Sequence, residues 1–473
     1  MVELAESGSL SLTGMLMAVL CCYVIFGRLV GMYVFDNTGG VRRRIMVQVV
    51  VLGDIGRSPR MRYHASSLAD SGCTVDLIGY TDTNPGALIN VNRHIRVRRI
   101  RAAWSVPKGY PKIFYLLWAP FKVMFTSVQL FWIMGCVTQR PDFVIVQNPP
   151  SLPTLIIARF VATLRKAWFI IDWHNFGYSI LGMQLGKDHR VVRFAKWYER
   201  KYGSVAYAHL TVTDRMHKEL KNEWKVTGEI MTLKDKPPSD FKRLLLEPVY
   251  RAWKFSLKPI VDQLKDDTEF WGKTSGKETA TFMTDVDEDK GTLVWRQDRP
   301  RVIVSSTSWT EDEDFSILLK AVELYEAAAK PSDPRLLFII TGKGPLKAYY
   351  EDKISKMVLK KTRIITAWLE MSDYTYLLGS ADLGISLHTS SSGMDLPMKV
   401  VDMFGCGLPV CAVNFECLDE LVQDGKNGLV FTSSNDLYEQ ITDLRKNIIH
   451  EYATNTWQSQ YKEVLEKLFQ SSG

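Results

Sequence analysis

The sequence has seven cysteines but no Cys-x-x-Cys pair. Cys21, Cys22, Cys73, Cys136, Cys406, Cys411 and Cys417 are dispersed, mostly among apolar neighbours. Their scatter argues against a zinc finger or a disulfide framework and fits reduced core thiols in the cytosol. Long blocks of one charge sign are also missing. The net charge of +7 is small for 473 residues and is spread along the chain. It permits a preference for phosphates or anionic lipid heads, and nucleic-acid binding is not expected. No short internal repeat is evident. The first glycine-rich turn, Val51-Leu-Gly-Asp-Ile-Gly-Arg57, is not G-x-G-x-x-G, so a nicotinamide cofactor is disfavoured. Thr341-Gly-Lys-Gly-Pro345 lacks the length of a P-loop, so ATP hydrolysis is disfavoured as well.

What the chain does contain is a composition of folded domains. Hydrophobic residues make up 46% and charged residues 23%, and the length suits two domains of ordinary size. Residues 10–35 form an apolar run long enough to cross a bilayer, which needs roughly 20 residues. Only acids, Glu3 and Glu6, precede it. Arg42, Arg43 and Arg44 follow it, and Arg28 near its inner end can snorkel. Basic residues stay on the cytosolic side, so the expectation is a single-pass anchor with residues 1–9 as a lumenal tail and the body in the cytosol. A cleaved signal peptide is the rival reading. It would need a basic n-region and a clean small-x-small cleavage site, and neither is seen.

After the anchor, β-branched runs alternate with helical patterns: RIMVQVVVLGD, TVDLIGY, IRVRRI, FVIVQNPP, WFIIDWHN and HLTVTD. This is the rhythm of a doubly wound α/β sheet, expected over residues 42–241. Within it, residues 113–137 are apolar and aromatic, interrupted by Pro120 and Lys122. A buried helix and a helix lying in the membrane interface both fit. Residues 242–300 are polar and poor in pattern and read as a variable insertion or linker. Asp285-Val-Asp287 there has the spacing of a metal-binding pair, but its setting reads as solvated acids, and no metal site is expected. The α/β rhythm resumes over residues 301–434 as a second doubly wound domain. Residues 435–473 read as helices packing back on the first domain.

Ligands of such sheets bind at the carboxyl ends of the strands. The first exit carries Gly53, Gly56, Arg57 and Arg60 ahead of a Ser58-Pro59 helix start. Glycine amides, a helix N-terminus and arginines suit an anionic ligand such as a diphosphate. A plain strand-to-helix turn is the alternative. FIIDWHN ends a buried strand with Asp172 and His174, and a histidine there can exchange a proton near neutral pH. A purely structural histidine is equally compatible. In the second domain, Glu311 and Asp312 follow a serine-threonine exit. Gly342, Lys343 and Gly344 form a small loop placed to meet a phosphate. His388 to Val410 reads HTSSSGMDLPMKVVDMFGCGLPV. The amides and hydroxyls of Thr389, Ser390, Ser391 and Ser392 can surround a diphosphate at a helix start, with Lys399 in reach. Asp402 can accept hydrogen bonds from a ribose. The expected ligand is a nucleotide-sugar.

These motifs carry a resemblance. VVLGDIGRSPRMRYH, QNPPSLP, IDWHNFGYSI, AKWYER, SSTSWTEDEDFSILL, ITGKGPL, LLGSADLGISLHTSSSGMDLPMKVVDMFGCGLPVCAVNFECLDELV and NGLVF span both domains. Together they resemble the chitobiosyldiphosphodolichol β-mannosyltransferase family; residues 242–300 do not carry the likeness clearly. The resemblance implies a GT-B fold, two facing Rossmann-like domains, with an N-terminal transmembrane helix. It implies GDP-mannose as donor and dolichol-diphosphate-linked chitobiose, GlcNAc₂-diphosphodolichol, as acceptor. The product would be Manβ1-4GlcNAc₂-diphosphodolichol, made on the cytosolic face of the endoplasmic reticulum membrane. Contact with membrane lipid, and a partnership with other mannosyltransferases of the dolichol pathway, are compatible with it.

The helix start at residue 396 is also similar to the E-x₇-E signature of related GT-B enzymes. Asp402 falls on its second glutamate. Met394 falls on the first, with Asp395 one place later, which leaves the sugar contact of Asp395 open. An α-linked donor and a β-linked product imply one in-line displacement, assisted by a base and needing no metal cofactor. His174 is the first candidate base, then Asp54 and Asp172, with Glu311 a distant alternative; Lys343 and Lys399 are candidates to meet the leaving diphosphate. Two rivals remain: a GT-B enzyme with another nucleotide-sugar or lipid-linked acceptor, and an inactive, membrane-tethered scaffold for glycosyltransferases.

Overall fold

The computed structural model of the protein describes residues 44–103, 112–238, 240–271, 280–287, 289–443 and 464–469. The expected lumenal tail (1–9) and anchor (10–35) lie outside the described residues, as do Cys21 and Cys22. The five other cysteines are buried free thiols. The described chain divides into two compact units. One comprises the residues up to Thr211, His217–Leu233 and the residues from Val464; the other comprises Val212–Met216 and Lys234–Glu463.

Unit 1 is a seven-stranded, all-parallel sheet. Its strands are β1 (Met46–Asp54), β2 (Thr74–Tyr80), β3 (Ile95–Arg99), β4 (Phe143–Asn148), β5 (Trp168–Trp173), β6 (Val205–Thr211) and β7 (Thr227–Thr232). They lie in the order β3-β2-β1-β4-β5-β6-β7. The near-continuous apolar strands are what a sheet covered on both faces requires, and Val47, Val49, Val50 and Val51 are all buried. The crossover helices are α1 (Pro59–Asp70), α2 (Lys112–Trp132), α3 (Thr154–Leu164), α4 (Gly177–Leu185) and α5 (Arg190–Gly203). The chain steps one way along the sheet through α1 and the opposite way through α3 and α5. Right-handed crossovers therefore place α1 on one face and α3 and α5 on the other. The helix expected over 113–137 is α2 with a wider turn at Ile133–Val137. It is the one described helix long and apolar enough to cross a membrane, by length and composition.

Unit 2 holds six parallel strands: β10 (Arg301–Ser306), β11 (Leu336–Thr341), β12 (Thr362–Ala367), β13 (Leu383–Ser386), β14 (Val410–Val413) and β15 (Gly428–Phe431), with β8 (Thr284–Val286) and β9 (Leu293–Trp295) as a separate hairpin. The large sheet runs β12-β11-β10-β13-β14-β15. Its helices are α6 (Phe315–Ala328), α7 (Lys347–Ser355), α8 (Met371–Ser380), α9 (Met398–Gly405) and α10 (Ser434–Thr442).

Two expectations need correction. The polar stretch 242–300 is not merely an exposed linker. Trp253, Ile260, Phe270, Trp271 and Met283 from it are buried in a core cluster with Val302 and Leu337 of the sheet. Large aromatics at irregular spacing anchor it, which a periodicity test cannot detect. Asp287 caps the turn of that hairpin, accepting from the amides of Asp289 and Lys290. The second correction is at the C-terminal end. α10 packs within unit 2, with Leu437 and Ile441 in a core cluster beside Phe315 and Val322 of α6. Residues 464–469 belong to unit 1, where Tyr207 Oη donates to the Leu468 carbonyl (3.0 Å) and Phe143 meets Phe469.

Candidate functional site

In each sheet the strand order reverses at one place, between β1 and β4 in unit 1 and between β10 and β13 in unit 2. Loops leaving two adjacent strands in opposite directions open a crevice there, the usual ligand position of a doubly wound sheet. Most of the sequence-selected residues fall on loops at or beside these two places.

In unit 1, β5 ends in Asp172, whose side chain is fully buried. Arg60 forks onto it, Nη2 to Oδ1 at 2.8 Å and Nε to Oδ2 at 2.9 Å. His64 Nε2 and His174 Nε2 donate to Oδ2 at 2.9 and 2.8 Å. Arg60 and His64 are one helical turn apart on α1, so both reach the same carboxylate. Burial raises the pKa of Asp172, but Arg60, His174 and His64 outweigh it and hold the acid well below its ordinary value. Burial, opposed by Asp172, lowers the pKa of His64. His174 is the exposed end of the cluster, its side chain 24% accessible. Because its Nε2–H faces Asp172, its Nδ1 is the ring atom left as acceptor.

The loop carrying His174 is itself held. The His174 amide donates to the Asn148 carbonyl at the end of β4. Asn148 Nδ2 donates to Glu199, as do Ser151 Oγ and the amides of Gly177 and Tyr178. Glu199 thereby caps the first turn of α4, whose helix end favours negative charge. Burial still outweighs these four donors and raises the Glu199 pKa. The QNPPSLP and AKWYER motifs meet at this carboxylate.

Several acceptor-side expectations change. Arg60 is 3% exposed and committed to Asp172 and the Leu233 carbonyl, so it is not presented to a diphosphate. Asp172 is likewise enclosed by Arg60, His64 and His174, with its side chain fully buried, so it is not presented to a substrate proton. Asp54 accepts from Thr83 Oγ1 (2.5 Å), the Thr83 amide and the Gly56 amide, with Arg57 3.5 Å away. Burial pushes its pKa up, but these partners outweigh it and lower the value, so Asp54 is a loop tie and a poor proton acceptor. Gly56 lets the two loops meet: a Cβ there would lie 2.2 Å from Thr83 Oγ1. Gly53 is under no such constraint, its nearest neighbour lying at 3.7 Å. Arg57 is exposed, 77% at the side chain.

In unit 2 the exits of β10 and β13 lock together. The Thr389 amide and hydroxyl both donate to the Asp312 carbonyl, and Glu313 bridges to His388. Glu313 is 3% exposed and accepts from Thr307 Oγ1, the Ser308 amide and Lys399 Nζ at 2.7 Å. Lys399, in the first turn of α9, is thus aimed by a buried carboxylate while 29% of its side chain stays accessible. Glu311 is exposed, and the structural acid of this stretch is Glu313. Gly342 and Gly344 press against the same exit. A Cβ at either would lie under 2 Å from the Thr307 or Ser308 carbonyl oxygen, so neither position admits a side chain. Lys343 extends outward with Nζ 4.1 Å over the Trp368 ring.

The 388–395 loop folds on its own polar groups. Ser390 Oγ accepts from the amides of Ser392, Met394 and Asp395 and donates to Asp395 Oδ1, which Ser392 Oγ also meets. Ser391 lies on the same loop, half-buried. His388 Nδ1 lies 3.4 Å from Asp312 Oδ2, and its Nε2 is buried without a hydrogen bond, 3.7 Å from Asp395 Oδ2. Burial works against charge on this ring, but Asp312 and Asp395 outweigh it and raise its pKa to about 9. The hydrogen bond from His388 holds Asp312 down at about 2. Asp402 has no hydrogen-bond or ion-pair partner among the described residues, and burial, with Asp235 nearby, raises its pKa to about 8. Among the described residues no cluster of three or more His, Cys, Asp or Glu is arranged to hold a metal ion.

Sequence reasoning did not single out His64, Glu199, Glu313 or His388. The i, i+4 pairing of Arg60 with His64 was a readable signal, and so was a histidine directly at a strand exit. Glu199 and Glu313 had none, since charged residues in helices and loops are usually solvated.

Known proteins place this architecture. Residues 287–458 match the family described as glycosyl transferases group 1, and residues 56–232 match the glycosyl transferase 4-like domain. The solved structures of Anabaena Alr3699/HepE with UDP and glucose and of Thermosynechococcus elongatus sucrose-phosphate synthase both superpose with a TM-score of 0.57. They cover 90% and 91% of this chain and 99% and 100% of their own, at 13% and 14% identity, which shows the GT-B fold alone. Sequence relatives are nearer. The Arabidopsis thaliana protein named UDP-glycosyltransferase TURAN is 43% identical over 420 residues, 84% of this chain and 88% of its own. The chitobiosyldiphosphodolichol β-mannosyltransferase of Mus musculus is 45% identical over 411 residues, 85% of this chain and 81% of its own. Its Homo sapiens counterpart is 43% identical over 404 residues, 85% and 84% of the two chains. By identity maintained across both units, the chain belongs to the chitobiosyldiphosphodolichol β-mannosyltransferase family of GT-B glycosyltransferases.

Proposed function

We propose that the chain transfers mannose from GDP-mannose to the terminal GlcNAc of dolichol-diphosphate-linked chitobiose, with inversion and without a metal. The observation that carries this reading is the 45% identity, over 85% of the chain, to a protein of that name. A β-linked product from an α-linked donor calls for one displacement. The acceptor 4-hydroxyl oxygen forms a bond to the anomeric carbon as the bond from that carbon to the GDP oxygen breaks. GDP leaves with the electron pair, and the hydroxyl proton passes to a base.

His174 Nδ1 is that base. Asp172 holds the ring in the required tautomer and stabilises the imidazolium that forms, while Arg60 and His64 keep Asp172 ionised. Unit 2 takes the donor. Lys399 and the N-terminus of α9 meet the charge gained by the diphosphate. Asp402 accepts from ribose hydroxyls, a role suited to a carboxyl that has no protein donor among the described residues. Lys343 offers a second cation. Gly53, Gly56 and Arg57 remain the acceptor-diphosphate candidates on unit 1.

The family name implies a lipid-linked acceptor and so work at a membrane. The finer placement is an endoplasmic reticulum anchor at residues 10–35 with the body in the cytosol. Other transferases of the pathway are the natural neighbours there.

The test is detergent-purified protein with GDP-mannose, chelator and a GlcNAc₂-diphosphate bearing a short isoprenoid. One added hexose, removed by a β-mannosidase, is the expected result; no product would overturn the reading. The TURAN name supports a second reading in which the donor is a UDP-sugar. Product with a UDP-sugar and none with GDP-mannose would establish it.

A further inference from the structure

We propose that helices α4 and α5 of unit 1 form a basic, aromatic face that seats directly on an anionic phospholipid surface, separately from residues 10–35. This rests on the lipid-linked acceptor of the proposed function and adds where the body of the protein meets the bilayer.

The two helices pack on each other and leave large apolar side chains in water. Ile180, Met183 and Leu185 are exposed on or at the end of α4, and Val191, Phe194 and Trp197 on α5. Phe194 and Trp197 are each more than half accessible, with their rings in tilted contact at 5.6 Å. The α5 positions recur at a spacing of three, so they share one side of the helix. Val192, Glu199 and Gly203, on the other side, face the core, and Tyr198 is buried at the border with its ring 6.3 Å from that of Phe194. The pattern is therefore a two-sided helix in which the outer side is apolar too.

Cations frame this face. Lys187, Arg190, Arg193, Lys196, Arg200 and Lys201 are all exposed. The acids of the same stretch are Asp188 and Glu199, and Glu199 is buried under its four donors. Lys201 Nζ lies 4.9 Å over the Trp197 ring and Lys196 Nζ 5.0 Å over the Tyr178 ring. Aromatics at headgroup depth, with lysines reaching past them to phosphates, are how amphipathic helices lie in an anionic interface. The charge argues against a second copy of this chain as occupant, because two such faces would repel.

The face continues over neighbouring helices. α5 packs on α3, which packs on α2. Phe160 and Leu164 of α3 are exposed, as are Phe121, Met124 and Val128 of α2, with the rings of Phe131 and Phe160 in tilted contact across the two helices. α1, on the opposite face of the sheet, exposes no large hydrophobic residue. One side of unit 1 thus carries exposed large hydrophobics on four neighbouring helices with a basic border, whereas the face of α1 exposes, among the described residues, only Leu88 and Val91, from the β2–β3 connection. Large hydrophobics gathered in water on one side mark an interaction surface.

The experiment uses the full chain with Cys21→Ser and Cys22→Ser, which leaves the buried thiols. An environment-sensitive fluorophore is attached at Phe194→Cys, at Trp197→Cys or, as a control, at the 82% exposed Val91→Cys. In vesicles of phosphatidylcholine with phosphatidylserine, the probes at 194 and 197 are expected to shift blue and to be quenched by acyl-chain nitroxides, while the probe at 91 stays aqueous. Quenching should fall severalfold in pure phosphatidylcholine. Probes at 194 and 197 as aqueous as at 91 would overturn the proposal. So would a blue shift that appears without vesicles and grows with protein concentration, or quenching indifferent to lipid charge. In parallel, the Phe194→Glu, Trp197→Glu double variant is expected to lose about tenfold in transfer to a full-length dolichyl acceptor in vesicles. Its transfer to the short-isoprenoid acceptor in detergent should be unchanged. If the parent protein transfers mannose to neither acceptor, the reaction reading fails, and the fluorescence result stands on its own.

Discussion

The two units solve opposite problems with their acids. Asp172 of unit 1 is fully buried and answered by an arginine fork and two imidazoles. Asp402 of unit 2 sits in a half-buried place with no partner among the described residues, and its pKa is up at about 8. In the same unit, His388 keeps a buried Nε2 without a hydrogen bond, 3.7 Å from Asp395 Oδ2. The Asp172 cluster is complete as it stands, with His174 its accessible member. Unit 2 leaves polar groups unsatisfied, which is costly unless a ligand supplies the missing partners. On the proposed function, the difference is that between a site that takes up a proton and a site that is filled by a polar, charged molecule.

That contrast can be broken by mutation. The largest effect should be His174→Ala, with kcat lowered by about 10²–10⁴ and the donor KM nearly unchanged. A loss confined to donor KM would place His174 outside the proton transfer. Next is Arg60→Met, which strands Asp172 as a buried, under-compensated charge and should cost about 3–5 kcal/mol of stability in a denaturant titration. If Arg60 served the acceptor diphosphate instead, acceptor KM would rise with stability intact. Lys399→Met should then lower kcat/KM for the donor by roughly 10–100-fold. Its Glu313 partner would be left buried and unpaired, so a thermal midpoint should be recorded beside the kinetics.

The two smaller effects concern pH. His388 is held charged by Asp312 and Asp395, with a pKa near 9 above the ordinary imidazole value. Its contribution is therefore full below the ordinary pKa and is lost as pH rises through about 9. Donor affinity should fall severalfold over that rise, and His388→Asn should flatten the profile. Asp402 runs in the opposite sense to a paired carboxylate. Its raised pKa means the folded state loses stability as pH climbs from the ordinary carboxyl range to about 8. Asp402→Asn should raise the ligand-free Tm at pH 8 by about 2 °C or more, with no gain at pH 4, while weakening donor binding. Equal Tm values at pH 8 would mean that Asp402 already has a partner when the site is empty.

Much of the fold was legible because its signals are local. Apolar β-branched runs, Pro59 at a helix start and the glycine-rich exits marked β1, β5, β10 and β13 before any contact was known. The 388–395 loop could be read as a ligand loop, since its hydroxyls and helix start have few other uses. Residues 242–300 misled because their burial depends on a few aromatics, such as Trp253 and Trp271, set among charges. Glu311 and Glu313 are two residues apart and chemically identical, and only the approach of Lys399 separates them.

The sequence by itself determined the family, the doubly wound units, the strand-exit loops and the pairing of Asp172 with His174 at one strand end. These follow from residue order, because strand period, helix starts and neighbouring side chains are set within a few positions. Only the tertiary structure decided that Arg60 serves Asp172 across 112 positions of chain, that Asp54 is a tie to Thr83, and that the Asp402 side chain has no partner among the described residues. A side chain's protonation and availability depend on what the fold brings against it, and packing across the sheet is not written in spacing along the chain.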